Sequence, residues 1–195
     1  MAIGNAQRSV LVLGRSQRVL DDVVGHLHDL GHRAEATNDF TDVIERFDVR
    51  EVDLVVFGGQ VPSDRKAELR HEMSTINPHI IFVQGLAGIP GLIVNQIQGA
   101  FAANLHQPAE APTFTSDDRT IRFTLAEPTH VKVTAWWATA FVPPDPTSDS
   151  LTLLDDRLVA GEHALTIPDH IPTSAAFATA QIANVIHAFS IATER

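Results

Sequence analysis

The chain has 195 residues, a formal net charge of −10 and 44% hydrophobic residues, a composition typical of a globular protein with a buried core. It contains no cysteine, which excludes disulfides, thiolate metal sites and cysteine nucleophiles, and it has no apolar run of membrane-spanning length. Residues 1–105 hold 9 basic and 13 acidic side chains, and residues 106–195 hold 5 and 11. Because neither half is basic, we expect no nucleic-acid partner and no membrane partner.

The N-terminal half alternates predicted strands and helices. Short apolar runs are typical of strands buried on both faces of a parallel sheet, and they predict four strands, at 10–13, 34–37, 53–57 and 79–83. Ser16 predicts the N-cap of the first helix and Gly31 its end. Three further helices are predicted to begin near residues 39–41, 63–64 and 92. Four β-α units favour an α/β fold, a doubly wound parallel sheet that binds ligands at the carboxyl ends of its strands.

The C-terminal half follows a different pattern. Residues 106–118 are polar and contain several prolines, so they predict a linker. Beyond them apolar and polar residues alternate, as from Thr120 to Leu125, which is the period of a half-buried strand. A hairpin is predicted between Ala175 and Ala192. Several short strands favour a small all-β sandwich, so the predicted organisation is an α/β domain over 1–105 and a β-sandwich domain over 119–195.

The predicted carboxyl ends of the first, third and fourth strands carry no acid. Gly14-Arg15-Ser16 follow the first strand, Gly58-Gly59 the third and Gln84-Gly85 the fourth. In element order and length this half resembles a response-regulator receiver domain, a flavodoxin-like fold that holds Mg²⁺ with acids after its first strand and accepts a phosphoryl group on an aspartate ending its third. That family also uses a hydroxyl residue after the fourth strand and a lysine after a fifth, and neither is found here. Asp53 lies before the third strand, so the resemblance implies a pseudo-receiver without phosphotransfer.

Four segments of the C-terminal half carry a second, more limited resemblance. They are Thr120–Leu125, Glu127-Pro128, Val131–Thr134 and Ala160–His163. They resemble parts of the small immunoglobulin-like sandwiches at the ends of flagellar hook-cap and secreted sorting-domain proteins. This resemblance implies a fold and carries no function. Those families are exported, whereas this sequence shows no signal-peptide pattern, so we expect a cytoplasmic protein.

Glycine-rich strand ends are the candidate ligand-binding site. Glycines next to a helix N-terminus let backbone N–H groups approach an anion closely. The candidate residues are Gly14, Arg15, Ser16, Gly58, Gly59, Gly85 and Gly88. No P-loop lysine follows them, and glycines also punctuate ordinary βα loops, so both interpretations stay open.

Trp136 and Trp137 are the candidate interface residues. Neighbouring side chains of a strand point to opposite faces, so one ring enters a core and the other needs cover from the linker, the other domain or a partner. Among the histidines, His28 and His32 have the spacing of a metal pair on a helix, but Gly31 ends the predicted helix between them. We therefore predict no metal site, no cofactor and no catalytic constellation.

Two functions follow from these patterns. We favour a non-catalytic, cytoplasmic protein–protein interaction or regulatory protein, because every reactive position of the receiver-like layout is replaced. A protein partner or self-association as a homodimer is expected, since exposed strand edges and one tryptophan need cover. The alternative is a protein that binds a small anionic ligand or nucleotide, with or without catalytic activity, at the glycine-lined strand ends.

Overall fold

The computed structural model of the chain describes residues 7–103, 111–140, 147–183 and 185–191. The chain divides into two compact units, Met1–Ile97 and Gln98–Arg195. The division comes before residue 105, the predicted end of the first domain, which lies outside the described residues. No helix in the described ranges is long and apolar enough to cross a membrane.

The N-terminal unit contains a four-stranded parallel sheet with helices. Its strands are β1 Ser9–Leu13, β2 Arg33–Thr37, β3 Leu54–Phe57 and β4 Ile81–Gln84. The helices are α1 Gln17–Asp29, α2 Val43–Arg46, α3 Ser63–Ile76 and α4 Pro90–Ala103, the last of which continues into the second unit. The strand order β2-β1-β3-β4 is that of the first four strands of a flavodoxin-like sheet. The predicted parallel sheet with helices is therefore confirmed.

Local sequence signals determine where α1 begins and ends. The Ser16 hydroxyl accepts the Val19 N–H at 3.4 Å, and Gly31 follows the helix with φ +83°. For α2 the signals were misleading. This helix begins only at Val43, because the Asp39 carboxylate accepts both the N–H and the hydroxyl of Thr41 and holds a turn before it.

Both faces of the central strands β1 and β3 are buried, which explains the continuous apolar runs of these two strands. On one face, Leu11, Leu13, Val55 and Phe57 pack with residues of α2 and α3 in one hydrophobic cluster. The alternate residues are also buried and point to the other face: Val10, Val12, Leu54 and Val56.

Antiparallel strands form two sheets in the C-terminal unit. One sheet has the order β11-β10-β7-β8 and the other has the order β5-β6-β9. The strands are β5 Thr113–Thr115, β6 Thr120–Leu125, β7 Thr129–Ala140, β8 Thr147–Leu158, β9 Gly161–Thr166, β10 Ala176–Ile182 and β11 Val185–Ser190. Side chains of β6, β7 and β10 meet in one buried cluster. The predicted antiparallel, strand-rich organisation is confirmed, and the predicted hairpin is the pair β10–β11.

Two strands extend beyond what the sequence pattern predicts. β5 lies inside residues 106–118, the predicted linker, and pairs with β6, Thr113 opposite Arg122 and Thr115 opposite Thr120. β8 begins at Thr147, before the apolar residues that predicted a strand near Leu151. Its first six residues are exposed, so they show no alternation of buried and exposed positions.

The β10–β11 turn generates a stability prediction. Ala183 has φ +53°, a left-handed conformation that a side chain disfavours, whereas glycine adopts it freely. We expect Ala183→Gly to raise the free energy of unfolding of the C-terminal unit by about 0.5–1 kcal/mol. Ala178→Gly is the control. Ala178 is fully buried within β10, so the loss of its methyl group should lower the free energy of unfolding. Tryptophan fluorescence in urea reports this unit, because both tryptophans lie in it; equal effects of the two substitutions would refute the prediction.

The half-buried His187 of β11 generates a pH prediction. Burial lowers the pKa of its imidazole below the usual value of 6.5. The unfolded chain therefore binds this proton more tightly, so stability is full above about pH 6.5 and falls as the pH drops from there through the lowered folded-state pKa. His187→Gln should remove this part of the pH dependence of unfolding, whereas the exposed His170→Gln should keep it. An unchanged pH profile in His187→Gln would contradict the effect of burial.

Candidate functional site

Three of the predicted ligand-binding glycines lie side by side where β1, β3 and β4 end. Each backbone N–H donates to a carbonyl of the neighbouring strand and so extends the parallel ladder by one residue. The N···O distances are 3.1 Å from Gly14 to Thr37, 2.7 Å from Gly58 to Leu13 and 2.8 Å from Gly85 to Phe57. An anion at the carboxyl ends of these strands would therefore have to bind groups other than these three N–H groups.

Close approach explains why these positions are glycine. A Cβ on Gly58 would lie 3.2 Å from the Leu13 carbonyl oxygen and 3.3 Å from the Gly14 Cα, both of which are backbone atoms. A Cβ on Gly14 would lie 3.2 Å from the Leu20 side chain of α1. These contacts are tighter than ordinary van der Waals contacts between side chains and backbone. Glycine therefore lets the strand ends come together without any shift of the neighbouring atoms.

The other four predicted ligand residues have different surroundings. Ser16 caps α1, and the Arg15 guanidinium lies 5.1 Å from the centroid of the Phe40 ring. A Cβ on Gly59 would meet no atom within 4 Å, so this position is open. Gly88 has φ +61° and forms the loop before α4. The structure thus brings together the three ladder glycines, whereas each of these four has its own local role.

Two glutamines hold the end of β4, a network that the sequence pattern did not reveal. The Gln84 amide donates to the Phe57 carbonyl at 2.8 Å, and its oxygen accepts the Lys66 ammonium at 3.1 Å. The Gln96 amide donates to the Gln84 carbonyl at 3.1 Å, and its oxygen accepts the Leu86 N–H at 3.1 Å. Side chains of α3 and α4 thus form hydrogen bonds with the end of β4 and with the loop that follows it. Glutamine directly before Gly85 was the only sequence signal.

The two aspartates nearest the parallel sheet hold backbone groups. Asp39, after β2, has its pKa lowered first by the Thr41 hydroxyl and then by the Thr41 N–H. Asp53 lies at the opposite end, before β3, where its carboxylate accepts the Ser9 N–H at 2.8 Å and pairs with Arg8 at 3.4 Å. The position of Asp53 agrees with the sequence analysis, which placed this acid away from the carboxyl end of its strand.

Two open clefts lie at the amino ends of β1 and β2, away from the predicted ligand residues. Their volumes are about 560 and 440 Å³, and both are lined by Ser9, Arg33 and Glu51. His28 lines the larger one, and its imidazole Nε2 is 3.1 Å from the Ala34 carbonyl oxygen. Within the described ranges, no three His, Asp or Glu side chains are grouped as metal ligands.

The two tryptophans lie on opposite faces of β7. Trp137 is half-buried and packs against the hydrophobic cluster of the C-terminal unit. Trp136 is also half-buried, and its indole N–H donates to the Thr179 hydroxyl of β10 at 2.9 Å. Part of the cover for Trp136 therefore comes from the neighbouring strand. Its role at an interface stays a prediction.

No protein-family model matches the chain, and no curated protein matches its sequence. The N-terminal sheet has the same strand order as flavodoxin-like domains. A shared fold does not by itself identify an activity.

The contrast between Gly58 and Gly59 generates a testable prediction. Gly58→Ala should lower the free energy of unfolding of the N-terminal unit by about 1–3 kcal/mol, because its methyl group would press on the backbone of β1. Gly59→Ala is the matched control and should change it by less than about 0.5 kcal/mol, since its Cβ meets open space. Far-UV circular dichroism in urea reports α1 to α3, which lie in this unit. Similar losses in both variants would show that close approach is not the reason for glycine.

Proposed function

We propose that this chain is a non-catalytic, cytoplasmic protein-interaction or regulatory protein, built from a pseudo-receiver domain and a small immunoglobulin-like β-sandwich. The order β2-β1-β3-β4 supports the receiver-like domain. Two antiparallel sheets whose side chains share one cluster support the sandwich. Contacts with other proteins, rather than a reaction, are the function that this combination favours.

The observation that carries this proposal is the closed backbone ladder at the end of β3. A phosphoacceptor belongs at this position in a receiver-like domain. Here the Gly58 N–H is bonded to Leu13, and a side chain at Gly58 would meet the backbone of β1. The nearby acid, Asp53, is at the other end of the strand and holds the Ser9 N–H.

Exposed strands support a protein partner or self-association. β8 is an edge strand, and most of its residues are exposed along its length. β4 is the edge strand of the parallel sheet, and it is half-buried. Unpaired edges of this kind are covered by another chain or protected by charges. The half-buried Trp136 and Trp137 are candidates for the same kind of contact.

Incubation with acetyl phosphate and Mg²⁺, followed by intact-mass spectrometry, tests the loss of phosphotransfer. We expect no added phosphoryl group, because no acidic residue directly follows β1 or β3 at their carboxyl ends. A stable aspartyl phosphate would overturn the proposal. Acid and hydroxylamine lability would identify the adduct and separate it from non-specific acetylation.

Sedimentation velocity and a thermal-shift screen separate interaction from ligand binding. We expect self-association, or a stoichiometric partner in cross-linked native extract, and no stabilisation by nucleotides or phosphorylated metabolites. The alternative function, binding of a small anion, predicts the reverse result. The chain would be a monomer, and an anion bound at Gly59, Gly88 or Arg15 would raise its melting temperature. That combination of results would replace the proposed function.

A further inference from the structure

β4 lies at one edge of the parallel sheet, and one side of its backbone is not paired with another strand of the described residues. Ile81 and Gly85 donate their N–H groups to the Asp53 and Phe57 carbonyls, at 2.9 and 2.8 Å. Because successive residues of a strand point their backbone groups to alternate sides, the N–H and C=O of Phe82 and the N–H of Gln84 point away from β3. Within the described ranges no strand pairs with this side of β4. The edge can therefore accept one more strand.

The first three side chains of β4 are apolar and only half-buried. Ile81, Phe82 and Val83 all keep part of their surface exposed, whereas all four residues of the neighbouring β3 are buried. A strand added beside β4 would cover this apolar surface on both faces of the sheet. Main-chain hydrogen bonds would supply affinity and the flanking side chains specificity, as in other complexes formed by strand addition.

Two cations of α3 lie against β4 on one face of the sheet. The Lys66 ammonium contacts the Gln84 side-chain oxygen at 3.1 Å. The Arg70 guanidinium lies 5.3 Å from the centroids of both the Phe57 and the Phe82 rings. Both side chains are half-buried, and among the described residues neither forms an ion pair. Stacking on two rings fixes the Arg70 charge beside the edge while no carboxylate of the described chain neutralises it.

We propose that the β4 edge binds an extended, acidic segment of another protein. The segment adds a strand to β4 and places alternate Asp or Glu side chains on the α3 face, against Lys66 and Arg70. This inference rests on the proposed interaction function and names its surface and the chemistry of its partner. The apolar residues of the segment, on the alternate positions, face the opposite side of the sheet.

Charge distinguishes this partner from a second copy of the chain. Two-fold pairing of two β4 edges would put Lys66 and Arg70 of both copies on the same face of the joined sheet, where like charges repel. An acidic strand from another protein instead supplies the missing opposite charges. Salt should weaken the complex, because these cations are partly exposed to solvent.

The test uses the full chain and short labelled peptides in which valine alternates with glutamate or with lysine. We expect the glutamate peptide to bind by fluorescence anisotropy and the lysine peptide not to bind. In the complex, amide hydrogen exchange should slow at Phe82 and Gln84, whose N–H groups become bonded. The Val83 N–H is the internal control, because it faces β3 and is protected without peptide. Binding without added protection at Phe82 and Gln84 would overturn the proposed site.

Variants test the role of charge. The double variant Lys66→Gln/Arg70→Gln should weaken the glutamate peptide by roughly three- to tenfold, the effect of losing two partly exposed ion pairs. Arg70→Lys, which keeps the charge, should retain most of the affinity, and Arg18→Gln on the exposed surface of α1 should retain all of it. Equal binding of both peptides, of a single-stranded oligonucleotide, or of the double variant would overturn the inference. None of those results would change the outcome of the acetyl phosphate or sedimentation experiments. The proposed binding surface can therefore be refuted without refuting the proposed interaction function.

Discussion

Close backbone contact between the ends of β1 and β3 is the constraint on which the N-terminal unit depends. The Gly58 N–H reaches the Leu13 carbonyl at 2.7 Å, and a Cβ on Gly58 would lie only 3.2 Å from the same oxygen. The same contact brings Gly14 against Leu20 and so positions the start of α1. Two residues after Gly14, Ser16 caps that helix. The strand ends, the loop and the helix start are therefore determined together.

This constraint changes how the missing acid is understood. The Cβ of any side chain at Gly58 would press on backbone atoms of Leu13 and Gly14, which would have to shift by a few tenths of an ångström. Gly59 has open space, but it lies one residue further into the loop. Of the two glycines that follow β3, only Gly59 therefore stands where a side chain meets no neighbouring atom.

Sequence patterns predicted the parts of the fold that depend on local chemistry. Buried strands, the Ser16 cap and the Gly31 stop all follow from residues close together in the chain. β5 and the first residues of β8 could not be found this way, because most of their residues are polar and their partners are other strands of the chain. The hydrogen-bond partners of the glycine N–H groups depend on the register between neighbouring strands. No single segment of the sequence determines that register. The same holds for the contact of Lys66 with Gln84, which lie 18 residues apart.

Local charge, rather than net charge, determines what the β4 edge attracts. The chain carries −10 overall, so an acidic partner is not steered towards it over long distances. At physiological salt, charges are screened beyond about 8 Å, and only side chains near the edge matter once a strand has docked. Arg65, a neighbour of Lys66, hydrogen-bonds the Phe40 and Thr41 carbonyls and pairs with Glu68, so its charge is compensated. Arg70 instead contacts the faces of two rings, so a carboxylate from outside is the charge that would complete this surface.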